Sequence, residues 1–357
     1  MLLNIKKLIT GKYQLPINTT IAQYEKDLRS DDYEEHSINA KISKVLQVIN
    51  LTGKNDLNDI TEADARLARE QLKRLPANVH KMKEFKELDL VSSIQLNNSL
   101  NKPTQSTATI KGKLQETSAF YKYLMRNKLV KMNPFEDLTR RLVSKEKYPR
   151  KPLEDAQITA LFDLKWFKTA EPKKNFHYWI LLLLRFSGAR VNEIAQLTKD
   201  DIKLIDKIWC LVINDSKDSQ RLKSTYSQRI VPIADILIEL GFLDFVSSVD
   251  DRLFPELEMT RGCYSHSVSK WASYWRKKLE FKRGNDLHSL RHNFVNELKR
   301  AGVKNELASE LVGHAREGFT YRVYGHNYPV SELHQCVNLI KTSHVKSVAP
   351  FKSTTSR

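Results

Sequence analysis

Cysteine is scarce, with three residues in 357. Cys210, Cys263 and Cys336 are odd in number, widely spaced and outside any CxxC or Cys/His cluster. That pattern excludes a disulfide framework and a structural zinc site and leaves them as small apolar packing residues. Long apolar runs are missing as well. The strongest, residues 178–184, ends at Arg185, far short of the roughly 20 residues that cross a bilayer. The N-terminus shows no apolar stretch followed by a small-residue cleavage site, so no membrane partner and a cytoplasmic location are expected. No fixed-period repeat is present, which excludes a solenoid. Acidic residues are in deficit, 42 against 59 Lys and Arg, for a net charge of +17. Such an excess points to a polyanionic partner. With 41% hydrophobic and 28% charged residues the chain is otherwise of globular composition, and its length suits two or three domains.

Helical spacing dominates. Ile38, Ile42, Val45, Leu46 and Ile49 repeat at that period, and Thr61-Glu62-Ala63-Asp64 reads as a helix start. Residues 92–109 are rich in Asn, Ser and Thr and read as a loop or helix start. Over 111–127, Leu114, Tyr121, Leu124 and Met125 share a face while Lys113, Lys122 and Arg126 lie off it, an amphipathic helix that ends before Asn133-Pro134. RRLVSKEKYPRKP, residues 140–152, carries six basic residues and one acid and reads as a linker that also suits a phosphate backbone. Residues 153–167, 176–186 and 191–197 read as helices. Residues 207–213 and 229–233 then read as two strands of a small antiparallel sheet joined by a long loop, Pro232 marking an edge. Helical periodicity returns from Ser265, and residues 343–357 read as a loose tail.

Four separated segments carry cationic, imidazole or phenol groups. In SGARVNEIAQL a Ser-Gly turn delivers Arg190 into a helix start, where it also has Glu193 to pair with. In LHSLRHNF, His288 and Arg291 are three apart and share a helical face. In ELVGHA a glycine at a helix end precedes His314, and TYRVYGH supplies Tyr321 and Tyr324. Each alone has a bland reading as an ion pair, a solvated face, a cap or a packed ring. Together, in this order and spacing, SGARxxEIxxL, LHxLRHxF, LVGHA and TxxxYG resemble the tyrosine recombinase (phage integrase) family. The resemblance covers residues 153–341 well, extends weakly over 111–138, and leaves the first sixty unassigned.

That resemblance implies a mainly α fold with a small antiparallel β-sheet in the catalytic domain, arranged as a two-domain DNA clamp. The expected domains are an N-terminal helical region (1–60), a helical core-type DNA-binding domain (61–142), a basic linker (143–152), a catalytic domain (153–342) and the tail (343–357). Arg190 and Arg291 would clamp a phosphate, and His288 and His314 would donate hydrogen bonds or shuttle a proton. Of the two hairpin lysines, Lys223 stands six residues before Arg229 and Lys217 twelve. The family spacing selects Lys223 to protonate the leaving oxygen. Tyr324, ten residues after His314, fits the nucleophile better than Tyr321 or Tyr328. Asp200-Asp201 matches a stretch that is structural in relatives. With no clustered carboxylates and the bond energy held in a covalent link to DNA, neither metal, cofactor nor ATP is expected.

The expected function is a site-specific recombinase, an integrase of a mobile element or phage, that works as a homotetramer on double-stranded attachment sites. DNA-bending or directionality proteins are expected accessories, and DNA-bound chains would be nucleoid-associated. Lys111, Lys113, Lys122, Arg126, Lys145, Lys147, Arg150, Lys151, Arg276, Lys277, Lys282, Arg283 and His292 are the candidate DNA contacts. A type IB topoisomerase and a non-catalytic helical DNA-binding protein are the alternatives.

Overall fold

The computed structural model describes residues 14–140, 142, 151–222, 224, 227–282, 284–314 and 328–351. The chain divides into two compact units, Met1–Lys147 and Tyr148–Arg357.

The first unit is helical: α1 (Ile17–Ser30), α2 (Glu35–Asn50), α3 (Glu62–Arg74), α4 (Leu90–Leu100) and α5 (Thr107–Arg126). Thr61 and Asp64 close the capping box that starts α3. One apolar core runs from Leu15 to Leu138, so residues on both sides of position 60 contribute to it. The polar stretch after Ser92 is largely helix rather than loop. Asp89 caps α4, the Ser93 hydroxyl donates to the Asp89 carbonyl, and Asn97 exchanges bonds with the Lys102 backbone, so the Ser93 and Asn97 side chains are buried with their partners in place.

The second unit is built around α8 (Asn175–Ser187), in which every residue from Tyr178 to Ser187 is buried. A helix apolar on nearly all sides belongs at the centre of a domain. Residues 153–167, read as one helix, form two, α6 (Asp155–Phe162) and α7 (Lys165–Thr169), and α9 (Val191–Ala195) follows α8. The sheet has three strands in the order β1 (Ile202–Ile205), β2 (Ile208–Ile213), β3 (Arg229–Pro232), all antiparallel, with Cys210 opposite Pro232 on the edge strand. Strand β1 escaped the sequence reading. It is short, and its turn is formed by Asp206 and Lys207, both at positive φ, the geometry of a two-residue hairpin whose usual Asn-Gly wording is absent.

Helices α10 (Asp235–Glu239), α11 (Phe242–Ser247), α12 (Ser265–Lys278), α13 (Leu287–Arg300) and α14 (Asn305–Val312) and the helix Val330–Val337 complete the unit. The tail is not loose as far as Phe351. Val345 and Val348 are buried, Ala349 donates its N–H to the Phe167 carbonyl, and the Phe351 ring lies among Tyr178, Trp179 and Phe245. Apolar residues spaced through a polar segment supplied that docking. Among the described residues no helix is long and apolar enough to cross a membrane.

Candidate active site

Gly188 ends α8 at φ +63°, and a Cβ there would stand 2.5 Å from the Phe294 ring. Only glycine satisfies both the left-handed turn and the close approach of α13. The turn brings Arg190 to the N-cap of α9. Its backbone N–H donates to Glu193 Oε2 at 2.8 Å, and its Nη1 donates to Glu193 Oε1 at 2.6 Å and to the Ser227 hydroxyl at 3.2 Å. Glu193 thus orients Arg190, and a second cation meets the same carboxylate: Arg229 Nη2 donates to Oε2 at 2.8 Å. Burial alone would raise the Glu193 pKa, but the Arg229 charge and the bonds from both arginines outweigh it and hold the pKa below its ordinary value.

Arg291, on α13, is 3% exposed. Nη1 donates to the Gly188 carbonyl at 2.8 Å, while Nη2 is buried with no hydrogen-bond partner among the described residues. Burial, and then the like charges of Arg190 and Arg229, push its pKa down to about 10, so it stays a cation at neutral pH. His314 follows Gly313, the left-handed end of α14 at φ +65°. The residue is exposed, yet partial desolvation of the ring, followed by the charges of Arg291, Arg190 and Arg229 and by His292, holds its pKa below the ordinary histidine value. His288 is half-buried at the start of α13, its N–H donating to Asp286 Oδ1 at 2.8 Å, with its ring 5.1 Å from His292 in an edge-on contact.

Arg190, Arg291, His314 and His292 therefore feel one another, and His288 adjoins them through His292. Lys223 and Tyr324, with Tyr321, lie outside the described residues. Lys217 is committed elsewhere: its Nζ meets Asp200 Oδ2 at 2.9 Å and Asp251 Oδ1 at 3.1 Å. Tyr328 is half-buried, its N–H 3.3 Å from Glu310 Oε1. Asp201 is buried as a cap, accepting from the Thr198 N–H and hydroxyl and from Gln220. The sequence reading passed over Arg229 and Ser227. An arginine opening the strand RIVP carries little signal; the need for a second cation at a buried glutamate is visible only once Glu193 is known to be buried.

The candidate contact residues divide. Lys122, Arg126, Lys151, Lys277 and Lys282 are exposed, and Lys111, Arg276 and His292 half-buried, with Arg276 Nη1 3.4 Å from the Asn285 carbonyl. Lys145, Lys147, Arg150 and Arg283 lie outside the described residues. Lys113 requires correction: it is buried, and its ammonium donates to Gln47 Oε1 at 2.6 Å and Gln105 Oε1 at 2.7 Å. Its four-carbon stem crosses the inner face of α5, so its charge is spent on two glutamines rather than offered to solvent.

The sequence profile described as the phage integrase family matches residues 152–330. Among curated proteins, a tyrosine recombinase of Thermosipho africanus (strain TCF52B) is 22% identical over 206 residues, covering 58% of this chain and 67% of that protein. The tyrosine recombinase XerC of Bacillus subtilis (strain 168) is 26% identical over 226 residues, covering 62% and 71%. In fold, the chain is similar to the Tn1549 transposon integrase solved with a circular intermediate DNA, at a TM-score of 0.56 and 16% identity over 88% of this chain and 98% of that one. It is also similar to a lambda integrase dimer bound to a COC′ core site, at a TM-score of 0.55 and 15% identity over 90% and 77%.

Proposed function

The chain belongs to the phage integrase family, and on that footing we propose that it is a site-specific DNA strand transferase working through a covalent 3′-phosphotyrosine intermediate. The carrying observation is the charge of the site. Arg190 and Arg229 both bond a single carboxylate, Glu193, the Arg291 charge lies close enough to feel all three, and Arg291 keeps one buried guanidinium nitrogen without an acceptor among the described residues. A half-enclosed site with surplus positive charge and an uncommitted guanidinium nitrogen is suited to a phosphodiester, whose non-bridging oxygens gain charge as the fifth bond forms.

In this reading Tyr324 attacks the phosphorus and displaces the 5′ oxygen, which takes its proton from Lys223. Arg190 and Arg291 bind the two non-bridging oxygens more tightly in the crowded transition state than before it. His314, its pKa lowered by partial desolvation and then by its cationic neighbours, accepts a bond or a proton, and His288 orients the opposite side. Rejoining reverses these steps on a new 5′ hydroxyl, so the bond energy is conserved and no metal or nucleotide enters. Exposed cations, Lys122, Arg126, Lys151, Lys277 and Lys282 among them, would hold the backbone of a duplex without reading sequence. A tetramer on two attachment sites of a mobile element, with accessory bending proteins, in a cytoplasmic, DNA-associated setting, completes the reading.

The test is a nicked suicide duplex carrying the attachment site adjoining the chain's own gene. Wild type should become covalently linked to the 3′ phosphate and Tyr324→Phe should not. An adduct with Tyr324→Phe moves the nucleophile to Tyr321. Relaxation of supercoils by a monomer with no recombinant product favours topoisomerase action, and no adduct on any site returns the chain to a binding role.

A further inference from the structure

Arg229 contacts three separate parts of the site. Its side chain is 3% exposed, and its three nitrogens go to three different places. Nη2 holds Glu193, which in turn holds Arg190 through both the backbone and the side chain. Nη1 donates at 2.8 Å to the carbonyl of Ser227, whose hydroxyl accepts from Arg190 and which lies four residues after Lys223. Nε donates at 2.8 Å to the carbonyl of Leu311, in the last turn of α14, three residues before His314. Gly313 leaves room for this: a Cβ there would stand 2.9 Å from Nη1.

Resting on the strand-transfer reading, we propose that Arg229 is a positioning residue that sets Arg190, Ser227 and His314 in register with one another around the phosphate. It touches no substrate. A planar fork with donors fixed in direction can hold three separate chain segments at once, which a lysine ammonium on a flexible stem cannot do with the same geometry. A misplacement of about 1 Å at any of the three groups costs on the order of a hundredfold in rate. The Arg229 charge also reaches His314, so its loss leaves a mark on that ring separate from any loss of activity.

The experiment compares Arg229→Met, Arg229→Lys and Gly313→Ala in the full chain, with adduct formation on the suicide duplex, duplex affinity and thermal melting read in parallel. Arg229→Met should slow adduct formation by roughly a hundredfold while affinity stays within about twofold. Arg229→Lys should recover part of the rate, Gly313→Ala should resemble Arg229→Lys, and in Arg229→Met the His314 ring should titrate at higher pH by NMR. Cleavage by Arg229→Met within about threefold of wild type overturns the proposal. So does an affinity loss as large as the rate loss, or an unmoved His314 titration. Where Arg229→Met does not fold, Arg229→Lys decides by rate against affinity alone, since it keeps the charge that His314 feels: cleavage within about threefold of wild type, or an affinity loss as large as the rate loss, overturns the proposal. If wild type forms no adduct, the strand-transfer reading fails, and the His314 titration alone still upholds or overturns the placement of Arg229.

Discussion

Arg185 of α8 and Glu297 of α13 meet inside the second unit through a single guanidinium nitrogen, Nη2, which stands 2.8 Å from one carboxylate oxygen and 2.9 Å from the other. The same nitrogen donates to the Lys341 carbonyl at 3.2 Å, and Glu297 accepts the Lys341 N–H at 3.0 Å, so the chain after the Val330–Val337 helix is tied to the central helix pair. Nε and Nη1 of Arg185 are buried without hydrogen-bond partners among the described residues. Arg185→Met, which strands a buried carboxylate, should cost about 3 to 5 kcal/mol in urea unfolding. The double change Arg185→Met with Glu297→Leu should cost less than either single one. A double change that is the worst of the three would show that the pair itself contributes net stability.

Lys217 and Lys223 separate cleanly by mutation. The Asp200 hydrogen bond, with Asp251 beside it, raises the Lys217 pKa and occupies its ammonium. Lys217→Ala should leave adduct formation within about threefold, as expected for loss of a solvated ion pair. Lys223→Ala should lose about a hundredfold or more, the usual worth of a positioned general acid. The reverse ranking would move the acid to Lys217.

Lys113 makes the stability of the first unit depend on pH. Desolvation lowers its pKa from 10.5 to about 8. The unfolded chain keeps this proton up to about pH 10.5, whereas the folded unit releases it near 8. Stability from this group therefore rises with pH between 8 and 10.5, by at most about 3 kcal/mol. Urea unfolding of wild type against Lys113→Met across that range should show the rise only in wild type. Duplex affinity should match wild type in Lys113→Met and fall in a Lys122→Ala, Arg126→Ala double variant.

Arg291→Ala should stop adduct formation, with a rate loss of at least about 10² to 10³, and leave duplex affinity nearly unchanged in a gel-shift assay. The reason is geometric: Arg291 is buried beside Arg190 and Glu193 rather than offered at the surface, so on the proposed reading it meets the reacting phosphate and little else of the duplex. Equal losses in affinity and rate would place it among the general backbone contacts.

On the proposed reading, His314 should set the acid limb of the cleavage profile. Its partial desolvation and the arginines around it keep the neutral ring dominant below the pH at which a free histidine protonates. Single-turnover cleavage should therefore hold its rate as pH falls through about 6.5 and decline only at lower pH. His314→Gln should remove that decline along with most of the activity. A wild-type limb above the free-histidine value would assign it to another group.

The resemblance to the phage integrase family was legible because SGAR and LVGHA each couple a left-handed turn to a functional group, while LHSLRH sets His288 and Arg291 on one helical face. Gly188 and Gly313 both take the left-handed conformation. The mainly α fold with one small antiparallel sheet was equally plain from periodicity. What escaped depends on tertiary contacts. Lys113 was assigned to solvent by its place on a helical wheel, which cannot show that Gln47 and Gln105 close over it. Strand β1 lacked the usual turn residues, and Phe351 was one ring in a polar tail. Arg229 was invisible because its three partners lie 2, 36 and 82 positions away along the chain.

The room that Gly313 leaves for Arg229 links two positions in the drift of sequences over time. While an arginine stands at 229, a side chain at 313 meets both a left-handed backbone and a guanidinium 2.9 Å away. Shorten the arginine and only the backbone penalty remains, one that asparagine meets more readily than most residues. Homologues of this chain should thus keep Arg and Gly together or exchange them together. A sequence that carries a side chain at 313 beside an intact arginine at 229 should show a compensating change in the turn between α14 and His314.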